Sequence, residues 1–176
     1  MELLECRLAI DDLDAFVAEL GEIGDRHGVT IQAFDARYVA DHAHLDRAVE
    51  LADRAIDRGE NVARDRAVEI LLYAAGRRQI DRALEMGVDE GETEAVVLLD
   101  ADPASETDGE PAQREAAALE AVADLAAVVA EEPTLASSDE PVLCEFFDVT
   151  DAERAATDAS LGALVRERVA LLEVEK

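Results

Sequence analysis

The chain has 176 residues and a mass of 19.0 kDa, and 49% of its residues are hydrophobic, which is enough to build the core of one ordinary domain. Its net charge is −27, yet this apolar content excludes an acidic disordered chain. No apolar run approaches the ~20 residues of a membrane span, and the first residues have no signal-peptide pattern. We therefore predict a single domain over residues 1–176, located in the cytoplasm and without a membrane partner.

The basic residues are almost all of one kind. Of the 16 Lys and Arg residues, 15 are Arg, and the only lysine is Lys176. Together with 43 Asp and Glu residues and 3% aromatic residues, this composition is typical of proteins from halophilic archaea. Because so many carboxylates repel one another when salt does not screen them, the composition predicts a fold that depends on salt.

The first third of the chain alternates strand and helix patterns. Apolar and polar residues that alternate predict strands, whereas apolar residues spaced by three and four predict helices that begin at Asp caps and end at glycines. The predicted elements are a strand at residues 4–10, a helix from residue 13 that ends at Gly21 and Gly24, a strand at residues 29–34, and a helix from the N-cap Asp41 to Gly59.

The segment Asn61 to Gly87 is the most apolar helical region of the chain. Asn61 is the predicted N-cap, and the helix that follows has apolar residues on nearly every side, which is typical of a helix in the middle of a domain. Gly76 interrupts the pattern, which then restarts and closes at Gly87, the predicted left-handed cap residue. We therefore predict a helix, a tight break at Gly76, and a second helix.

The second half of the chain also mixes strands and helices. The predicted elements are a central strand at residues 95–99, a mobile loop at 100–113, a helix from residue 119 up to Pro133, a strand at 142–147, a helix opened by a capping box of Thr150 and Glu153, a last helix near 161–165, and a strand at 171–174. The fold class that follows is α/β (α+β mixed), with one mixed central sheet of about five strands packed by helices.

Charge is distributed unevenly along the chain. Residues 37–82 contain nine arginines and nine acids, so all 27 surplus negative charges lie in the other 130 residues. Arginine suits phosphate binding and planar stacking, so this neutral segment indicates a retained interaction surface. Arg47, Arg54 and Arg58 form a row along one predicted helix within this segment. The row could belong to the interaction surface, or it could be the polar face of a surface helix with ion pairs such as Glu50 with Arg54.

No pattern typical of catalysis is present. The three histidines, His27, His42 and His44, lack metal-ligand spacing, and neither a phosphate-binding loop nor a nucleophile motif occurs. Cys6 and Cys144 lie in apolar runs, and we interpret both as reduced core residues. We expect a binding module without metal or cofactor, and a small-molecule-binding or hydrolytic domain that uses carboxylates stays open as the alternative.

Two segments, residues 31–56 and 61–87, resemble the small kinase-associated subunit of the KEOPS complex, the Cgi/TPRKB family. The motifs that carry the resemblance are Ala33, Phe34, Asp35 and Ala36 at the entry to the first helix, the apolar helix from Glu69 to Ala75, and the glycine, glutamine and isoleucine of Gly76, Arg77, Arg78, Gln79 and Ile80. The resemblance is strong over about 57 residues and holds only in outline toward the C-terminus. The loop at 100–113 departs from the family pattern.

The resemblance implies a non-catalytic subunit of the machinery that installs threonylcarbamoyladenosine (t6A) in tRNA. It also implies two partners, the atypical kinase/ATPase subunit and the 3′ CCA end of tRNA, and no DNA partner. The candidate RNA-binding residues are Arg77, Arg78, Gln79, Arg64 and Tyr38. The candidate partner-binding residues are Gly76 and Ile80.

Overall fold

The protein is described by a computed structural model that covers residues 1–174. In chain order its elements are β1 (Glu2–Ile10), α1 (Leu13–His27), β2 (Val29–Asp35), α2 (His42–Arg58), α3 (Arg66–Ala75), α4 (Ile80–Ala83), β3 (Gly91–Ala101), α5 (Pro111–Ala123), β4 (Val128–Glu131), α6 (Glu140–Phe146), α7 (Asp151–Ala155) and α8 (Leu161–Val174). Short 3₁₀ turns lie at Ala36–Tyr38, Leu84–Met86 and Leu135–Ser137.

These elements form two compact units. The sheet unit consists of residues 1–35 and 88–134, and the helical unit consists of residues 36–87 together with the chain from Leu135 onward. The chain thus leaves the sheet unit after β2 and returns to it at β3. The expectation that residues 1–176 behave as one domain stays a prediction.

The sheet unit has four strands in the order β2-β3-β1-β4, and all three pairings are antiparallel. Helix α1 joins β1 to β2 across β3, and α5 joins β3 to β4 across β1. This double split β-α-β arrangement is the ferredoxin-like topology. The α/β class is confirmed, with four strands where we expected about five. The sheet is antiparallel rather than mixed, because each helical connection skips over one strand.

One face of the sheet forms the core of this unit. Alternate residues of β1 contribute Leu4, Cys6, Leu8 and Ile10, as the strand pattern predicted. Strand β3 is one of the two inner strands, beside β1, which confirms the predicted central strand at residues 95–99. Helices α1 and α5 add buried apolar residues: Phe16, Leu20, Ile23, Ala118 and Val122.

Helix α1 is longer than predicted. It passes through Gly21 and Gly24 and ends at Gly28, whose φ is 64°. A Cβ atom on Gly24 would lie 2.6 Å from the carbonyl oxygen of Val29, a distance that side chains essentially never adopt. Gly24 therefore serves close packing inside the helix rather than helix termination.

Helix α3 is the centre of the helical unit. Its residues from Glu69 to Ala75 are all buried, and it packs against α2, α4 and α8, which confirms the predicted central helix. Its N-cap is Asp65, whose side chain accepts a hydrogen bond from the Val68 amide, and not Asn61. The Asn61 side chain instead donates to the Ala63 carbonyl within the preceding loop.

Two predicted strands of the helical unit are helices. Residues 142–147 belong mainly to α6, which starts at the N-cap Asp139 and buries Leu143 and Phe146 at a helical spacing of three. Residues 171–174 are the end of α8, in which Leu171 and Val174 are 46% and 79% exposed. Short apolar runs do not distinguish a two-sided strand from a helix, and both predictions were wrong for this reason.

Smaller differences concern the other boundaries. Residues 128–131, predicted as helix, form the edge strand β4. The predicted loop at 100–113 is shorter than expected, because β3 ends at Ala101 and α5 begins at Pro111. The mobility of that loop stays a prediction. Gly87 has a φ of −75°, so it is extended rather than left-handed.

Candidate functional site

A surface cavity of about 360 Å³ lies in the helical unit, beside the break between α3 and α4. Its lining comes from the 3₁₀ turn before α2, the segment that follows Gly76, and the end of α6. The lining residues are Tyr38, Arg77, Arg82, Glu85, Val142, Glu145, Phe146 and Asp148. The cavity therefore combines aromatic, cationic and anionic side chains.

Aromatic rings form one wall of the cavity. The Tyr38 and Phe146 rings meet edge to face with centroids 5.1 Å apart, and Phe146 meets Phe147 in the same way at 5.0 Å. The chain contains two Tyr, four Phe and no Trp, so this cluster holds half of its large aromatic residues. Edge-to-face pairs add about 0.5–1.5 kcal/mol to the effect of burial, which stabilises the wall.

The guanidinium of Arg77 lies over this wall. Its guanidinium carbon is 4.9 Å from the centroid of the Phe146 ring, and its Nη2 donates a hydrogen bond to the Phe146 carbonyl. The cation–π contact and the hydrogen bond hold the side chain in one orientation. Since Phe146 is only 7% exposed, the half-buried side chains of Arg77 and Tyr38 are the cationic and aromatic surfaces that this wall offers to the cavity.

Gly76 determines where Arg77 lies. The Gly76 amide donates to the Tyr73 carbonyl and the Arg77 amide donates to the Leu72 carbonyl, both at 3.0 Å. With φ of 60° at Gly76, this is the Schellman motif that ends helices at a left-handed residue. The turn directs the chain sharply out of α3, and Arg77 is the first side chain after it.

The structure brings together only some of the predicted RNA-binding residues. Tyr38 and Arg77 line the cavity. Arg78 and Gln79 are exposed in the turn beside it. Arg64 is also exposed, but it precedes α3, a helix of 10 residues that is about 15 Å long, so it lies at the opposite end of that helix.

The two predicted partner-binding residues have different environments. A Cβ atom on Gly76 would lie 3.3 Å from the carbonyl oxygen of Arg168, so Gly76 packs closely against α8. Ile80 is the first residue of α4 and is 43% exposed. Leu84, four residues later, is 56% exposed, so an apolar pair faces outward just beyond the break.

Sequence reasoning missed most of the cavity lining. Phe146 and Val142 were assigned to a strand, and Arg82 with Glu85, which form an ion pair at 3.7 Å, were not singled out. The adjacent pair of phenylalanines at 146 and 147 was the available signal, because aromatic residues make up only 3% of this chain.

The arginines in the row on α2 form ion pairs with carboxylates. Glu50 forms ion pairs with Arg47 at 2.8 Å and with Arg54 at 2.9 Å, and Glu173 contacts Arg54 and Arg58. The Arg47 guanidinium lowers the pKa of Glu50. These contacts favour the interpretation of α2 as a surface helix with ion pairs, each of which contributes only a few tenths of a kcal/mol.

Buried carboxylates in both units bind the backbone. Glu69 accepts hydrogen bonds from the Val62 and Ala63 amides at 3.1 and 2.8 Å, and Glu115 accepts one from the Ala101 amide at 2.9 Å. In the part of the chain that the structure describes, no three His, Cys, Asp or Glu side chains are grouped so that they could hold a metal ion.

The cysteines differ from each other. Cys6 is fully buried in the sheet unit, and burial raises the pKa of its thiol to about 11. Cys144 is half-buried in α6. Both are free thiols, so the interpretation as reduced residues is confirmed, whereas only Cys6 is a core residue.

Among residues 1–174, no helix has both the length and the apolar character that crossing a membrane would need.

Comparison with known proteins gives the chain a family. No curated protein matches the sequence. The family model described as "Kinase binding protein CGI-121" matches residues 17–173, which is most of the chain. The protein therefore belongs to the CGI-121 family of kinase-binding proteins.

Proposed function

We propose that the protein is a non-catalytic, cytoplasmic accessory subunit of the KEOPS complex, in which it binds the atypical kinase/ATPase subunit and the 3′ CCA end of tRNA during t6A formation. Membership of a kinase-binding family supports the first partner. The observation that carries the RNA part is the guanidinium of Arg77 held over the Phe146 ring, with the Tyr38 ring edge to face beside it.

A single-stranded RNA end is the form of RNA that suits this cavity. Unpaired bases stack on aromatic rings and on guanidinium planes, with about 1–3 kcal/mol per base. The cavity of about 360 Å³ is open to the surface and has such a wall, and Arg78 and Gln79 are exposed beside it. A duplex would not present its bases to a recess of this kind.

The acidic character of the whole chain is compatible with this proposal. A net charge of −27 repels RNA at low salt, but at 1 M salt the screening length is roughly 3 Å. Only groups in direct contact with the RNA then contribute. Since counterion release is weak at such salt, stacking and hydrogen bonds to bases must supply most of the affinity.

The kinase would bind beside the cavity, at the exposed apolar pair on and just after α4. Ile80 and Leu84 are exposed apolar side chains with the charged residues Asp81, Arg82 and Glu85 around them. An apolar centre with a charged margin is the usual composition of a protein interface. We therefore propose this pair as the centre of the kinase contact.

Binding of tRNA with and without its CCA end tests the RNA part. In molar salt, the wild-type protein should bind an intact tRNA transcript severalfold more tightly than the same transcript trimmed of CCA. Replacement of Arg78 by Glu should remove most of this difference, whereas Arg58→Glu, a matched exposed arginine on α2, should not. Equal binding of intact and trimmed tRNA by the wild type would refute the 3′-end assignment.

The kinase part is tested separately. The purified protein should have no ATP turnover alone and should change the ATPase rate of a co-expressed KEOPS kinase. Turnover by the protein alone that survives further purification would instead support the alternative of a hydrolytic domain.

A further inference from the structure

Asp148 has an unusual backbone conformation at the rim of the cavity. Its φ is 54°, and among residues 1–174 it is the one residue other than glycine with a positive φ. Such a conformation is unfavourable for a residue that has a Cβ atom, although Asp tolerates it better than most. It persists only where the surroundings hold it, and such positions cluster at functional sites.

The conformation belongs to a helix end. The Asp148 amide donates to the Glu145 carbonyl at 3.4 Å, and the Val149 amide donates to the Cys144 carbonyl at 2.9 Å. This is the same Schellman motif that ends α3 at Gly76, with Asp148 in the position that glycine usually occupies. One such turn directly precedes Arg77, and the other directly follows the end of α6 at Phe146, so both turns adjoin the cavity.

The side chain of Arg168, on α8, holds the second turn. Its Nε donates to the Phe147 carbonyl at 3.0 Å, and its Nη2 donates to the Asp148 carbonyl at 3.2 Å. Nη2 also donates to Oε1 of Glu153 on α7 at 2.8 Å. The carboxylate of Glu153 therefore fixes the guanidinium in the orientation in which it meets both carbonyls.

The main chain of Arg168 contacts the first turn. A Cβ atom on Gly76 would lie 3.3 Å from the carbonyl oxygen of Arg168. One residue of α8 therefore abuts the turn before Arg77 with its backbone and binds the turn after Phe146 with its side chain. Arg168 itself does not line the cavity.

We propose that Arg168, oriented by Glu153, is a positioning residue that holds Asp148 in its left-handed conformation and so sets the aromatic wall that orients Arg77 and Tyr38 for stacking with RNA bases. This rests on the proposed RNA-binding function. The planar fork of arginine is essential to the arrangement, because it donates in several directions at once, whereas a lysine ammonium acts as a single point charge.

The test compares Arg168→Lys with Arg166→Lys. Arg166 lies two residues earlier on the same helix and forms an ion pair with Asp41 at 3.2 Å, so it is a matched control away from the Asp148 turn. In molar salt, Arg168→Lys should bind a tRNA transcript with an intact CCA end severalfold more weakly than wild type. Arg166→Lys should bind it as wild type does.

A second measurement reports the arrangement of the aromatic wall in the absence of RNA. In the wild type, NMR cross-relaxation should connect the rings of Tyr38 and Phe146, whose centroids are 5.1 Å apart. Arg168→Lys should weaken these signals and Arg166→Lys should not. Since this measurement needs no ligand, it tests the positioning role even if the wild type fails to bind tRNA. Failure of the wild type to bind tRNA would refute the RNA-binding function but not the positioning role.

A rescue experiment separates positioning from general stability. Glycine favours the left-handed conformation, so Asp148→Gly added to Arg168→Lys should restore the ring signals and most of the tRNA affinity, relative to Asp148→Gly alone. If Arg168→Lys does not fold, Glu153→Gln replaces it and should give the same losses in smaller measure. Unchanged ring signals and affinity in the folded variants, or losses that Asp148→Gly does not restore, would overturn the proposal.

Discussion

The Nε2 of His44 lies 2.8 Å from the carbonyl oxygen of Ala74 and donates a hydrogen bond to it. The Nδ1 of the same ring accepts a hydrogen bond from the Ala40 amide at 3.1 Å, which fixes the neutral tautomer. The ring is fully buried and meets Phe147 edge to face at 5.5 Å. His44 thus ties the start of α2 to the end of α3, directly behind the aromatic wall.

This arrangement predicts a loss of stability in mild acid. Burial lowers the pKa of His44 from 6.5 to about 4, so a proton binds the unfolded chain more readily than the folded one. The contribution of the neutral ring is complete above pH 6.5 and is lost as the pH falls toward 4. Between pH 7 and pH 5, the free energy of unfolding should fall by about 2 kcal/mol from this residue alone.

Urea unfolding in molar salt at pH 7, 6 and 5 measures this loss. His44→Gln should be less stable than wild type at pH 7 and should show a flatter pH dependence. His42→Gln, at an exposed position two residues away, should keep the wild-type slope. Parallel pH profiles of wild type and His44→Gln would contradict the assignment to His44.

The net charge of −27 predicts that the fold is salt-dependent. Without salt, the carboxylates repel one another over a longer distance. The melting temperature should fall steadily as KCl is reduced from several molar to about 0.1 M, where the Debye length is about 10 Å. A melting temperature that does not change over this range would refute the halophilic interpretation.

The exposed pair on the α4 segment should be required for kinase binding. Replacement of Ile80 or Leu84 by Glu places a charge in the centre of the proposed interface and should weaken the complex by roughly 2 kcal/mol or more. Val17→Glu, at a 56% exposed apolar position in the sheet unit, is the matched control. Co-elution of all three variants with the KEOPS kinase at wild-type levels would exclude this surface.

Two left-handed glycines allow backbone strain to be separated from packing. Gly76 and Gly59 have φ of 60° and 70°, but only Gly76 has a neighbour close to where a Cβ atom would lie. Gly59→Ala should therefore cost about 1 kcal/mol of unfolding free energy, and Gly76→Ala should cost about 1 kcal/mol more because the α8 backbone must move. Equal costs by urea unfolding would show that the close contact with Arg168 is unimportant.

Local chemistry made several elements predictable from the sequence. The helix that starts at the cap Asp41 and ends at Gly59, and the break at Gly76, were both predicted correctly because the capping bonds form between neighbouring residues. The N-cap at Thr150 was predicted for the same reason, and the Glu153 amide does donate to the Thr150 hydroxyl at 3.1 Å. Such signals need no knowledge of distant contacts. The Glu153 carboxylate, the other half of the predicted capping box, accepts a hydrogen bond from Arg168 instead.

The sequence by itself therefore determined the ends of α2, the central helix α3, and the Arg77 turn that follows Gly76. Only the tertiary structure decided that residues 142–147 form a helix whose end presents Phe146 to the cavity, and that Arg168, about 90 residues further along the chain than Gly76, contacts both turns. The physical reason is that an apolar run buries equally well as strand or helix. Contacts with distant residues select between the two, and those contacts exist only in the folded chain.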